Sequence, residues 1–276
     1  MNFDIPVDKW ITALVDFLLD YAQPFFDLVN TMLYALTYSI EGTLLFLPSW
    51  LLIIILTLLA WWRTQWQFAV FTFAGLLLVA GMGLWTETIV TLALVLASTI
   101  VSLLIGIPLG ILAARNDAFE RLLRPVLDLM QTMPAFVYLI PAAMFFGLGR
   151  VPGIVATIIF AMPPAVRLTN LGIRHVPKEL VETGLAFGCT NLQLLLRVQL
   201  PSALPSIMTG INQTIMLALS MVVIASMIGA GGLGDTVLKG IQRLDVGLGF
   251  EGGLCVVILA VILDRITQGV TKPNNK

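Results

Sequence analysis

The stretch Glu179–Pro201, ELVETGLAFGCTNLQLLLRVQLP, is half polar and punctuated by glycine, and it sits in a chain that is otherwise too apolar for water. Of the 276 residues 58% are hydrophobic and 11% charged, with a mean hydropathy of +0.97; a soluble domain carries about 25% charged residues. The composition is that of an integral membrane protein, and its long apolar runs make it an all-α polytopic one, because uncovered backbone in lipid closes its hydrogen bonds within a helix. Net charge is −1, with 15 Lys and Arg against 16 Asp and Glu, which argues against a nucleic-acid partner. Within the quoted stretch the local signals are clear. Pro177 suits a first helical turn, Lys178–Phe187 can form a short helix, and Gly188 can end it with a left-handed cap. Thr190 and Gln193 read as a capping box for a second helix ending near Leu200, before Pro201. The expected product is a compact helix-turn-helix outside the bilayer. Gly184 and Gly188 would share one face, open to close approach by a partner's surface, with Glu182 beside them. A plain linker is the competing reading, although connections are usually only about 4–6 residues long.

Outward from this elbow, charge-free runs occur at Thr43–Trp62, Thr64–Thr86, Thr88–Ala114, Leu129–Gly149, Val151–Val166 and Val198–Gly234. A further run, Val246–Leu263, is broken only by Glu251. About 20 apolar residues cross a bilayer core, so the sequence predicts about seven transmembrane helices, the long sixth run holding one helix and a flanking loop. Upstream, apolar residues from Val7 to Leu36 recur at helical spacing with Asp8, Asp16, Asp20 and Asp27 between them. That pattern predicts an amphipathic segment over residues 1–42 at the outer interface, broken near Pro24; an eighth span would bury four aspartates at a few kcal/mol each. With the N-terminus outside and the C-terminus inside, only Lys9, Arg150, Lys239 and Arg243 of the basic residues lie outside, which satisfies the positive-inside rule and places the elbow in the cytoplasm. The acidic start, Asp4 and Asp8, does not resemble a secretory signal, so the N-terminus is expected to be retained. Cys189 and Cys255 have no neighbouring His or Cys at metal-ligand spacing and read as small apolar fillers, with no metal site.

Glu182, Thr183, Gly184, Leu185, Ala186, Phe187 and Gly188, then nine residues, then Val198–Pro201 as V-Q-L-P, resemble the EAA motif of binding-protein-dependent ABC importer permeases. Thr183 and Gly184 replace the two alanines of that motif and Val198 its isoleucine. Pro134–Gly153, Phe160–Ile173, Ile211–Gly234 and Ile258–Gln268 are similar to the glycine betaine/proline betaine permeases of the ProW and OpuAB type. The resemblance spans roughly Glu87 to Gln268 and implies a type I ABC importer permease fold. It implies a permease core over 87–268 with a coupling loop at 172–206, two accessory helices over 43–86 and a cytoplasmic tail over 269–276. Glu182, Thr183, Gly184, Ala186, Phe187, Gly188 and Pro201 become ATPase-coupling residues. The implied partners are an ABC ATPase dimer that carries ATP and magnesium, an extracytoplasmic substrate-binding protein, a second copy of this chain and the lipid bilayer of the bacterial inner membrane. The chain itself is expected to hold no cofactor and to catalyse no reaction. The implied solute is a quaternary ammonium osmolyte such as glycine betaine, proline betaine or choline, among which the permease sequence does not choose.

Aromatic faces attract such cations, so Phe136, Tyr138, Met144, Phe145 and Phe146 on the fourth run, with Met216 and Met221 on the sixth, are pathway candidates; packing or lipid contact is the alternative for each. Gly106, Pro108, Gly110, Pro134 and Pro141 suit either bending or static kinks, and Ala218, Ser220, Ala225 and Ser226 suit either a dimer seam or the pathway. Gly229–Gly234, GAGGLG, satisfies a dinucleotide fingerprint only in letters: it follows a membrane run, not a strand, and Asp235 stands where a P-loop needs Lys. It reads as a flexible turn at the pathway mouth. Gly232–Asp235 also has the G-x-G-D of intramembrane aspartyl proteases, without the second carboxylate at equal depth that they need. His175 reads as a solvated loop residue. The rival function is a secondary transporter or channel for a small zwitterion or cation, but the charge-free runs lack the mid-membrane carboxylate or His that ion coupling usually uses.

Overall fold

The computed structural model describes residues 7–269. Residues 1–6 and 270–276 lie outside that set, as do the side chains of 7–11, 14 and 16, so the readings placed on Asp4, Asp8, Lys9, Asp16, the first apolar positions of the amphipathic pattern and the tail lysines concern residues not described. The chain opens with α1, Val7–Phe46, a continuous helix that runs through Pro24 instead of breaking there. Proline removes only one backbone donor and its clash can be absorbed where neighbours hold the helix. Here Val15 on one side of Pro24 and Leu33, Thr37 and Glu41 on the other are all buried. The 42/43 boundary therefore falls inside a helix. Its hydroxyls on Thr31, Thr37, Ser39 and Thr43 each donate to the carbonyl four residues back, which satisfies them without water.

At Pro48 the chain turns through 102° into α2, Ser49–Arg63. A short turn leads to α3, Trp66–Gly81, and the two pack as an antiparallel pair. Then come α4, Trp85–Arg115, and α5, Asp117–Thr132, the latter capped by the Asn116 side chain accepting from Ala118 and Phe119 N–H. A bend of 99° leads to α6, Ala135–Phe146, and α7, Arg150–Arg174, follows. Two short helices, α8 (Lys178–Ala186) and α9 (Asn191–Leu194), precede a π-helical turn at Leu195–Gln199 that runs straight into α10, Leu200–Ala225. A 3₁₀ turn at Ser226–Ile228, α11 (Leu233–Arg243) and α12 (Val246–Gln268) complete the chain.

Four continuous helical stretches among the described residues are long and apolar enough to cross a membrane: α4, α7, Asn191–Ile228 and α12. There are up to six if each bent pair, α1 with α2 and α5 with α6, counts as one span, and α3 is a shorter apolar helix. The expected runs Thr43–Trp62 and Leu129–Gly149 each straddled a proline. Pro48 and Pro134 both sit in extended backbone (φ −55, ψ 141 and φ −56, ψ 139) as the residue before a new helix, and each divides its run.

The core is α4, α7 and α10 pressed together through small residues. A Cβ on Gly110 would lie 2.7 Å from the Val166 carbonyl oxygen, and one on Gly172 would lie 3.2 Å from that of Ala203. A Cβ on Gly106 would lie 3.1 Å from that of Ala165, so Gly106 and Gly110 are sites of close helix approach. Ala218 and Ala225 are buried in the same cluster.

Candidate coupling elbow and groove

The elbow is built by local hydrogen bonds. His175 caps α7 and lies 2.9 Å from the Leu171 carbonyl through Nδ1; Pro177 then starts α8. At the other end the Gly188 N–H donates to the Leu185 carbonyl (2.9 Å) and the Cys189 N–H to that of Gly184 (3.1 Å), a Schellman motif with Gly188 at φ +79. Thr190 and Gln193 form the expected capping box, Thr190 N–H to Gln193 Oε1 at 2.9 Å and Gln193 N–H to Thr190 Oγ1 at 3.4 Å.

Two expectations about this region are corrected. The second helix does not stop before Pro201 but continues as α10, so the elbow is one end of a span and not a free-standing helix-turn-helix. Pro201 has no N–H to give to Arg197, and the preceding residues instead take the π register, with the Leu200 N–H on the Leu195 carbonyl. Gly184, moreover, does not face outward. It is buried, and a Cβ there would lie 2.7 Å from Leu194 Cδ1 and 3.5 Å from Val198 Cγ2. The exposed face carries Glu182, Thr183, Ala186 and Phe187, the last 85% exposed, with Leu180 and Leu185 at its edges. Among the described residues Glu182 has no ion-pair partner. Pro201 is also exposed, on the first turn of α10. Behind the elbow, Arg174 donates to the Ala113 carbonyl at 2.8 Å and pairs with Asp117 at 2.7 Å, and Arg167 pairs with Asp128 at 2.5 Å. These bonds fix the elbow's base to α4 and α5. The sequence reading missed them; their only signal was basic residues at a helix end opposite acidic ones.

The pathway candidates separate. Phe136 and Met144 line an open apolar groove of about 480 Å³ with Leu139, Ile140, Ala143, Met227 and Ile228. Tyr138 instead points into the protein, and its hydroxyl donates to the carbonyls of Leu129 (3.0 Å) and Met130 (2.9 Å), tying α6 to the end of α5 across their bend. Phe145 stacks on Phe26 of α1 with centroids 4.6 Å apart, and Phe146 meets the same ring edge-on. Met216 is half-buried on α10, whereas Met221 is fully buried in the core. Nor is Gly229–Gly234 a loose turn. Gly229, Gly231 and Gly232 all have φ near +80, the Leu233 N–H donates to Thr91 Oγ1 at 2.8 Å, and a Cβ on Gly234 would lie 2.7 Å from the Val223 carbonyl. Gly232 and Gly234 serve close packing against Thr91 and Val223, and Gly229 and Gly231 supply left-handed backbone to the turn.

Residues 106–272, more than half of the chain, match the family described as binding-protein-dependent transport system inner membrane component. The chain is a member of this family. Over 266 residues the permease is 49% identical to the glycine betaine/proline betaine transport system permease protein ProW of Escherichia coli (strain K12), covering 96% of this chain and 75% of that one. It is 50% identical to the glycine betaine transport system permease protein OpuAB of Bacillus subtilis (strain 168), covering 96% and 94%. Among solved structures, the inward-facing MetNI methionine ABC transporter superposes with a TM-score of 0.60 at 24% identity, over 66% of this chain and 94% of that one. The permease therefore has the type I importer fold, as an all-helical inner-membrane component of a transport system.

Proposed function

We propose that this chain is the translocation subunit of an ATP-driven importer for a quaternary ammonium osmolyte of the betaine class. The elbow carries the ATP-driven reading. An exposed short helix is joined, through a turn locked by a Schellman motif and a capping box, to the 38-residue stretch Asn191–Ile228, within which the π turn carries the helix past Pro201. Force applied to Glu182, Thr183, Ala186 and Phe187 passes into a span without a flexible joint. In this reading two copies of the chain receive that force from two ATPase subunits, which hold ATP and magnesium, and an external binding protein delivers the solute. The elbow and C-terminus lie in the cytoplasm and the N-terminus outside, with α1 along the outer interface, as the basic residues and the 102° bend into α2 support.

The substrate class is supported by the names of relatives that are 49 and 50% identical and by a groove lined with Phe136 and Met144 and by no ionisable side chain. Proteoliposomes holding the permease, its ATPase and its binding protein are expected to accumulate glycine betaine only when ATP is supplied inside. Uphill uptake by the permease alone would overturn the reading.

A further inference from the structure

α1 lies wholly outside the family match at 106–272, yet it packs along α4, buries Leu33 in the core and is fastened to the ends of α6 and α7 by two side-chain contacts. Near its middle, Phe26 stacks on Phe145 (4.6 Å, 14° between planes) and meets Phe146 edge-on (5.6 Å), at the last two residues of α6. Near its end, both carboxylate oxygens of Glu41 receive the Arg150 guanidinium, at the first residue of α7. The Glu41 side chain is 11% exposed and that of Arg150 36%, so the pair is partly shielded from solvent. A two-toothed arginine–carboxylate contact fixes orientation as well as distance.

The fastenings bracket the α6–α7 turn, Gly147–Gly149, which does little to support itself. Gly147 and Gly149 have φ of +77 and +129, and a Cβ on either would meet nothing within 4 Å. Among the described residues, the turn's one backbone bond to another element runs from the Gly149 N–H to the carbonyl of Ile228, at 2.9 Å. Ile228 lines the groove together with Phe136 and Met144 of α6. Whatever places the turn thus places one wall of the groove.

Resting on the importer reading, we propose that α1 is a strap that travels with the α6–α7 turn as one body during transport, with Glu41 and Arg150 as positioning residues for the groove wall. A latch that must part in each cycle makes the opposite demand, so one experiment separates them. In the reconstituted complex, with the half-exposed Cys189 replaced by Ser, Glu41→Cys and Arg150→Cys are joined by a cleavable bifunctional thiol reagent about as long as the side chains they replace. Cross-linked complexes are expected to keep ATP-driven uptake; loss of uptake that returns on cleaving the reagent overturns the strap. Glu41→Gln and Arg150→Gln are each expected to lower solute imported per ATP hydrolysed by about fivefold or more. The exchanged pair Glu41→Arg with Arg150→Glu should restore most of it. A merely structural contact lowers uptake and hydrolysis together and leaves their ratio unchanged, which would also overturn the proposal. Uptake by the wild-type complex judges the importer reading separately, since every variant is compared with it.

Discussion

Gly184, inside α8, and Gly188, just past its end, are four residues apart and do different work. Gly184 lets α8 settle on Leu194, whereas Gly188 supplies a left-handed backbone with open space around it. Gly184→Leu is expected to push α8 off the following helix and cost about 1–3 kcal/mol. Gly188→Val should cost about 1–2 kcal/mol through its φ of +79 alone. Both would show as a lowered midpoint for thermal unfolding in detergent. Phe187 is the contrasting case, since an 85% exposed ring contributes little to the fold. Phe187→Ala and Glu182→Lys should leave the midpoint unmoved and reduce ATP-driven uptake about tenfold, roughly 1.4 kcal/mol of lost coupling; full uptake by both would remove the elbow's assigned role. At Tyr138, replacement by Phe deletes donation to two carbonyls across the α5–α6 bend and should lower stability by about 1 kcal/mol. The amino-acid type at 138 suggested an aromatic wall for a cation, and nothing local revealed that its hydroxyl was committed elsewhere.

Among the elements, the caps were legible because their partners lie within a few residues. The Schellman glycine and the Thr190–Gln193 box were both readable from spacing, and Thr190→Ala is expected to cost about 1 kcal/mol, seen as faster amide exchange in 190–194. The helix that follows was misread at its end. Pro201 looked like a stop, whereas a π turn carries the helix past it into the span. If that register matters for transmitting force, Pro201→Ala, which restores a donor, should lower the uptake obtained per ATP while the protein stays folded. An unchanged ratio would mean that continuity of the helix suffices. Hydropathy misjudged the bent pairs for a related reason: it averages over Pro48 and Pro134, and the direction of a chain after a proline is not a property of average polarity.

For the whole molecule, orientation gives a direct test. Leu148, 81% exposed at the α6–α7 turn, and Phe187 at the elbow should lie on opposite aqueous sides. In cells that retain an outer barrier only at this membrane, an impermeant thiol reagent should label Leu148→Cys from outside and Phe187→Cys only after the membrane is opened. The opposite pattern would invert the topology and remove the elbow from reach of any cytoplasmic ATPase.

Composition placed the chain in lipid, and apolar runs of about 20 residues, too long for barrel strands, made its spans helices. Spacing alone located the elbow and its caps, because those bonds close within three to five residues. Tertiary structure decided the rest: that Gly184 is covered by Leu194, that Met221 and Tyr138 turn inward, and that Glu41 meets Arg150 from 109 residues away. Each of these depends on how far a helix is rotated about its own axis against a neighbour. That rotation is set by the packing of many side chains at once, and no short window of sequence contains it.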